Sequence, residues 1–202
     1  MNISSDSSHY LFDNKPVHYF ILSILLLISI YCISSAFSRG IANAWYFNAE
    51  FSLNETVNEK AIKDESNYKQ VLTSIIKAQS LDTKHPHYAH MVGRIMHWGV
   101  DLGYKDKAQL EEITQWYLLA TQLRPLWPDP WVDLLRLNNF LYGYNANTKY
   151  YIEQALATGP YTDLVTIGTI QVWLLNWPVL SGIDRALLFG QFDVATKKNK
   201  VL

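Results

Sequence analysis

Four of the six histidines crowd into one stretch, HPHYAHMVGRIMHWG: His85, His87, His90 and His97. Imidazoles so placed suggest metal ligation or proton transfer, and spacing decides between that chemistry and ordinary packing. On a helix His90 and His97 are seven residues apart and share a face, with Gly93 and Arg94 between them. Zinc requires three or four convergent ligands, commonly at i and i+4 or with a carboxylate partner. No His-Glu-x-x-His occurs, and Arg94 on the same turn opposes a cation. A helix start carrying His85 and His87, with His97 partly buried beside Trp98, accounts better for the cluster. Glu111 and Glu112 are adjacent carboxylates, but neighbours on a helix point about 100° apart, so they form no acid–base pair. A place near a helix N-terminus explains both. The chain has no phosphate-cradling glycine loop and no Gly-x-Ser-x-Gly, and its single cysteine, Cys32, lies in an apolar run. No catalytic residue, cofactor or metal is expected, and the sequence reads as a binding protein.

Aromatic rings are the other chemistry on offer. Seven tryptophans, thirteen tyrosines and eight phenylalanines make up 14% of the chain, and sugars stack readily on such rings. Trp98, Trp116, Trp131 and Trp173 fall in helical apolar stripes, where burial is the default. Trp127, in a proline-rich turn, and Tyr142, Tyr144, Tyr150 and Tyr151 after it are the candidate contacts for a glycan or a partner.

The elements that must hold these residues begin with an apolar anchor. Hydrophobic residues are 49% of the 202 and charged ones only 17%, while a net charge of -1 gives no field to gather nucleic acid. Residues 19–37, YFILSILLLISIYCISSAF, carry no charge and as a helix extend about 28 Å, close to the hydrocarbon thickness of a bilayer. Ala42 and Ala44 offer an A-x-A cleavage pattern. The apolar run, however, exceeds the core of a signal peptide, and the region before it has Asp6 and Asp13 against one lysine. Tyr31 before Cys32 is too bulky for lipoprotein processing. An uncleaved anchor in a lipid bilayer over 19–38 is the expectation. Lys15 and Arg39 balance across it and leave its orientation undecided.

Beyond the anchor, apolar residues recur at three and four, predicting helices over 73–81, 86–99, 107–123, 129–141, 148–157, 163–176 and 182–195, and an all-α fold. Three segments share a pattern: AQSLDTKHPHY from Ala78, ATQLRPLWPDPW from Ala120 and ALATGPYTDL from Ala155. In each, a small residue at a helix crossing is followed five positions later by a stop: Thr83, Pro125 or Pro160. Asp129–Pro130 reads as an N-cap followed by a first-turn proline. The boundaries expected are a polar tail over 1–18, the anchor over 19–38, a membrane-proximal helix and linker over 39–67, stacked hairpins over 68–195 and a basic tail over 196–202.

Ala120 with the following LRP, then Trp131 and Leu134, resembles a tetratricopeptide repeat, as do Gly93, Tyr104 and Tyr117. Thr83 stands where that repeat usually has proline, and the third unit lacks the aromatic–x–x–Leu pair. The order of features is also similar to VpsP-type proteins of bacterial exopolysaccharide clusters. NAWYFNAEFSL (43–53), LDTKHPHYAHMVGRIMHWG (81–99), ATQLRPLWPDPWVDLLRL (120–137) and ALATGPYTD (155–163) carry that resemblance. It implies an inner-membrane protein with periplasmic hairpins, partnered by membrane-bound polysaccharide synthesis or export proteins. The competing expectations are an assembly factor for a pilus, secretion or cytochrome machine, or a glycan-binding module.

Overall fold

The computed structural model describes residues 15–58 and 65–198. Eight α-helices run in order: α1 (Lys15–Asn58), α2 (Glu65–Leu81), α3 (Pro86–Asp101), α4 (Leu110–Leu123), α5 (Pro128–Tyr142), α6 (Ala146–Thr158), α7 (Asp163–Leu175) and α8 (Gly182–Lys198). No strand occurs among the described residues. Successive helices pair as α1–α2, α3–α4, α5–α6 and α7–α8, and the pairs stack through α2 on α3, α4 on α5 and α5 on α7. The fold is all-α, a row of helical hairpins. Leu202 and the rest of the expected basic tail beyond 198, most of the polar tail and the 59–64 part of the expected linker lie outside the described residues.

Small residues fix the crossings. Ala78, Ala120 and Ala155 are fully buried, one in the second helix of each of the first three hairpins. Gly93 lies under the Tyr117 ring, where a β-carbon would come within 2.7 Å of the ring edge. The α3–α4 crossing therefore requires glycine. Tyr117 is 1% exposed, and Tyr104 is half-buried against Tyr68. Ile75, Ile113, Leu134, Leu135 and Leu137 fill the interior, each stabilising the fold by roughly 1.5–3 kcal/mol through burial.

The stack begins earlier in the chain than the periodicity suggests. α1 is one helix of 44 residues, about 66 Å long, and its second half belongs to the first hairpin. Ala42 and Ala49, seven apart and both fully buried, bring α1 against α2. Polar clamps line the same contact. Ser74 Oγ donates to Asn48 Oδ1 at 3.0 Å, Arg39 pairs with Asp82 at 3.7 Å, and Lys77 Nζ lies 4.3 Å from the Trp45 ring centre. Residues 39–52 of the expected membrane-proximal helix are thus part of α1 and pack on α2 as the first layer of the stack.

The three joints lie side by side on one edge. The His87 ring of the first packs at a tilt against Trp127 of the second, with ring centres 4.3 Å apart, and Arg124 Nη1 meets His87 Nε2 at 3.1 Å. Pro128 of the second packs so closely on Gly159 of the third that a β-carbon there would lie 2.9 Å from the proline ring. One local expectation is corrected. Trp127, not Asp129, is the N-cap of α5, because Pro128 takes the first helical position with its pre-set φ and absent N–H. Asp129 occupies the first turn, where its charge meets the helix dipole. Pro125 is exposed; its carbonyl accepts from Trp131 Nε1 at 2.9 Å and so ties the joint to the next hairpin. Pro160 is half-buried, and Trp131 and Leu134 are interior.

Candidate interaction surface

The histidines are used in packing. His90 is 5% exposed, and its Nε2 meets Asp133 Oδ2 at 2.7 Å, joining the second hairpin to the third. His97 Nδ1 lies 3.3 Å from the Tyr117 hydroxyl, and His85 stacks on Tyr88 at 4.0 Å. Burial, with His85 and Arg124 beside it, holds the His87 imidazole below its usual pKa, which keeps it neutral at physiological pH. No group of three His, Cys, Asp or Glu is arranged to hold a metal ion among the described residues. Glu111 and Glu112 stand in the first turn of α4, and Glu111 accepts a hydrogen bond from Tyr142.

The five aromatic candidates do not line one groove. Trp127 is half-buried between His87 and His90, an internal surface of the joint. Tyr151 is buried beside Trp131. Tyr144 accepts from Trp173 Nε1 at 3.2 Å, and burial pushes its phenol well above the usual range. Only Tyr142 and Tyr150 are exposed, the first tied to Glu111 and the second edge-on to Trp131 at 6.0 Å. Tyr150 and Tyr151 both meet the Trp131 ring yet differ in exposure, and Tyr142 and Tyr144 lie across a turn from them. Linear proximity says little about which of them share a surface.

A different surface is open. The inner face of α7–α8 carries Val165, Thr169, Val172, Trp173 and Leu188, all buried. On the outside, Leu174, Leu175, Val179, Ile183, Leu187 and Phe189 are exposed, Leu175 at 76% and Ile183 at 75%. Trp177 meets Phe189 edge-on at 6.3 Å, with the Arg185 guanidinium 4.8 Å from the Trp177 ring centre, so the patch carries a cation at its aromatic end. Each earlier hairpin packs against the next one, through α2 on α3, α4 on α5 and α5 on α7. Among the described residues no further hairpin follows α7–α8, and these apolar residues have no cover there. The signal was present in DLVTIGTIQVWLL, which is apolar all round; a helix without a polar side wants contacts on every side.

The N-terminal end presents apolar surface of another kind. Every residue from Lys15 to Ser34 is exposed, including the aliphatic run between Ile21 and Ile33, and α1 is the helix long and apolar enough to cross a membrane. Neither a protein-family model nor a curated protein matches this chain.

Proposed function

We propose that the chain is a membrane-anchored helical-hairpin scaffold, with no catalytic centre of its own, that serves the synthesis or export of an extracellular polysaccharide. In this reading residues 19–38 of α1 cross a bacterial inner membrane and the hairpins stand on the periplasmic side. The apolar outer face of α7–α8 docks a membrane-bound synthesis or export protein. One observation carries the scaffold reading: α1 passes without a break from an all-exposed apolar run into the first packed layer, while the opposite end of the stack is left uncovered. The polysaccharide assignment rests on the sequence resemblance. The burial of Ala42 in the first hairpin supports an intact anchor, because cleavage after Ala44 would cut α1 inside a packed layer.

Photo-crosslinking amino acids at Leu175 and Ile183, in the full chain expressed in its native membrane, test this reading. Adducts with a polysaccharide polymerase, flippase or export component are the expected result. Adducts confined to a pilus, secretion or cytochrome-assembly component would transfer the scaffold to that machine. A mature N-terminus near Trp45 would overturn the anchor.

A further inference from the structure

The place where α1 leaves its apolar run is also where the first joint packs against it. Ser38 Oγ donates to the Leu81 carbonyl at 3.3 Å and Arg39 pairs with Asp82, so residues 81–85 lie level with the last turn of the span. Two clefts open there. One, of about 600 Å³, is lined by Arg39, Asn43, Asp82, Lys84, His85 and Tyr88. The other, of about 330 Å³, shares Arg39, Asp82 and Lys84 and continues down α1 past Ser38, Ser35 and Ser34 to Tyr31.

The first cleft has the chemistry of an anion site. Arg39 and Lys84 face it with Asp82 as the only carboxylate, and Lys84 pairs with no acid among the described residues. The Arg39 side chain is 72% exposed, and its 3.7 Å contact with Asp82 is long enough to be shared with a second acceptor. Asn43 Oδ1 accepts from the Tyr88 hydroxyl, which leaves the Asn43 amide free to donate. His85 Nδ1 is a buried nitrogen with no hydrogen-bond partner among the described residues. The two cations, Arg39 and Lys84, thus outnumber the one carboxylate around the cleft, as a phosphate requires.

The second cleft argues for a lipid over a free ion. Tyr31, Ser34, Ser35 and Ser38 fall at helical spacing on one face of a helix that is otherwise aliphatic, and three small hydroxyl residues make that face shallow. A soluble anion would use none of it. A lipid entering from the bilayer would fill both parts, head among the cations and chain along the serine face. Tyr161 projects exposed from the neighbouring joint edge, a residue type enriched at membrane interfaces.

We infer that the junction between α1 and the first joint binds an anionic phospholipid headgroup, with Arg39 and Lys84 on the phosphate oxygens and the acyl chain along the 31–38 face. The inference rests on the reading of α1 as a membrane span. The full chain in nanodiscs of equal phosphatidylcholine and phosphatidic acid, released and weighed by native mass spectrometry, tests it. Phosphatidic acid should be retained at least about tenfold over phosphatidylcholine. Arg39→Gln with Lys84→Gln should abolish the preference, and Lys84→Gln, which breaks no ion pair, should weaken it alone while the circular dichroism stays unchanged. Equal retention of both lipids by the native chain, or a preference that survives both substitutions, overturns the site. Loss of the bound lipid to excess inorganic phosphate overturns the lipid part and leaves an anion site. A chain that fails to sediment with the discs overturns the membrane reading first and the lipid site with it.

Discussion

The α1–α2 and α7–α8 hairpins are built on the same antiparallel plan and finish their outer surfaces in opposite ways. In α1–α2 the contact face carries two alanines seven apart, a serine–asparagine hydrogen bond and an ion pair, and most of the exposed apolar surplus falls in one run over 19–37, with Phe47, Phe51 and Ile76 among the residues exposed beyond it. In α7–α8 the interior rests on one large ring, Trp173, and the surplus is spread over the outside of both helices. Small residues with polar clamps make a contact that tolerates little substitution. A large central ring with apolar residues on both sides makes a unit that holds itself and can accept another layer.

Three substitutions probe that difference. The largest effect should come from Trp173→Ala, which empties a fully buried site and removes the donor to Tyr144; a loss of about 3–5 kcal/mol is expected. Hydrogen exchange in micelles should then show α7 and α8 unprotected while α2 to α4 keep native protection. Loss of protection throughout would mean that the ends are not separable units. Ala42→Leu comes next, at about 1–3 kcal/mol, because the added branch has no space between α1 and α2. The expected readout is faster exchange in α2 with α7–α8 unchanged. The smallest effect concerns the start of α8. Ser181 Oγ donates to Asp184 Oδ2 at 2.7 Å and the Asp184 N–H donates back to Ser181 Oγ at 3.2 Å, a reciprocal cap. Burial raises the Asp184 pKa, but the Ser181 hydrogen bonds, Tyr144 and Lys149 outweigh it and hold the carboxyl below its usual value. Its contribution is therefore complete above the ordinary carboxylate range and is lost as pH falls through the lower folded value. Asp184→Asn should cost about 1 kcal/mol at neutral pH, and melting curves of the two proteins should converge in strong acid.

Much of this architecture was legible because helix punctuation is local. Pro86, Pro128, Gly143 and Gly159 mark real boundaries: prolines in the first turns of α3 and α5, glycines just past the ends of α5 and α6. The start of α2 at Glu65 was missed because ESNYKQ offers Tyr68 as its only apolar residue, and the stripe becomes visible only from Val71 on. The continuity of α1 was missed because Arg39 looks like the end of a span, whereas its charge is met across the hairpin by Asp82, 43 residues away. Tyr144 and Tyr151 were misjudged for the same reason. Whether a tyrosine faces solvent depends on the partner helix, and Trp173, which donates to the Tyr144 hydroxyl, lies 29 residues downstream.

The uninterrupted α1 has a mechanical consequence. A domain on a flexible linker samples a volume; this stack has no such freedom, because its first layer and the apolar run before it are the same helix. Each residue inserted between the span and Ala42 would turn the whole stack by about 100° about the helix axis and raise it about 1.5 Å. In the membrane setting proposed above, encounter with a partner in the same bilayer would reduce to lateral diffusion and rotation about the bilayer normal. The azimuth of the α7–α8 face is set by helical phase alone.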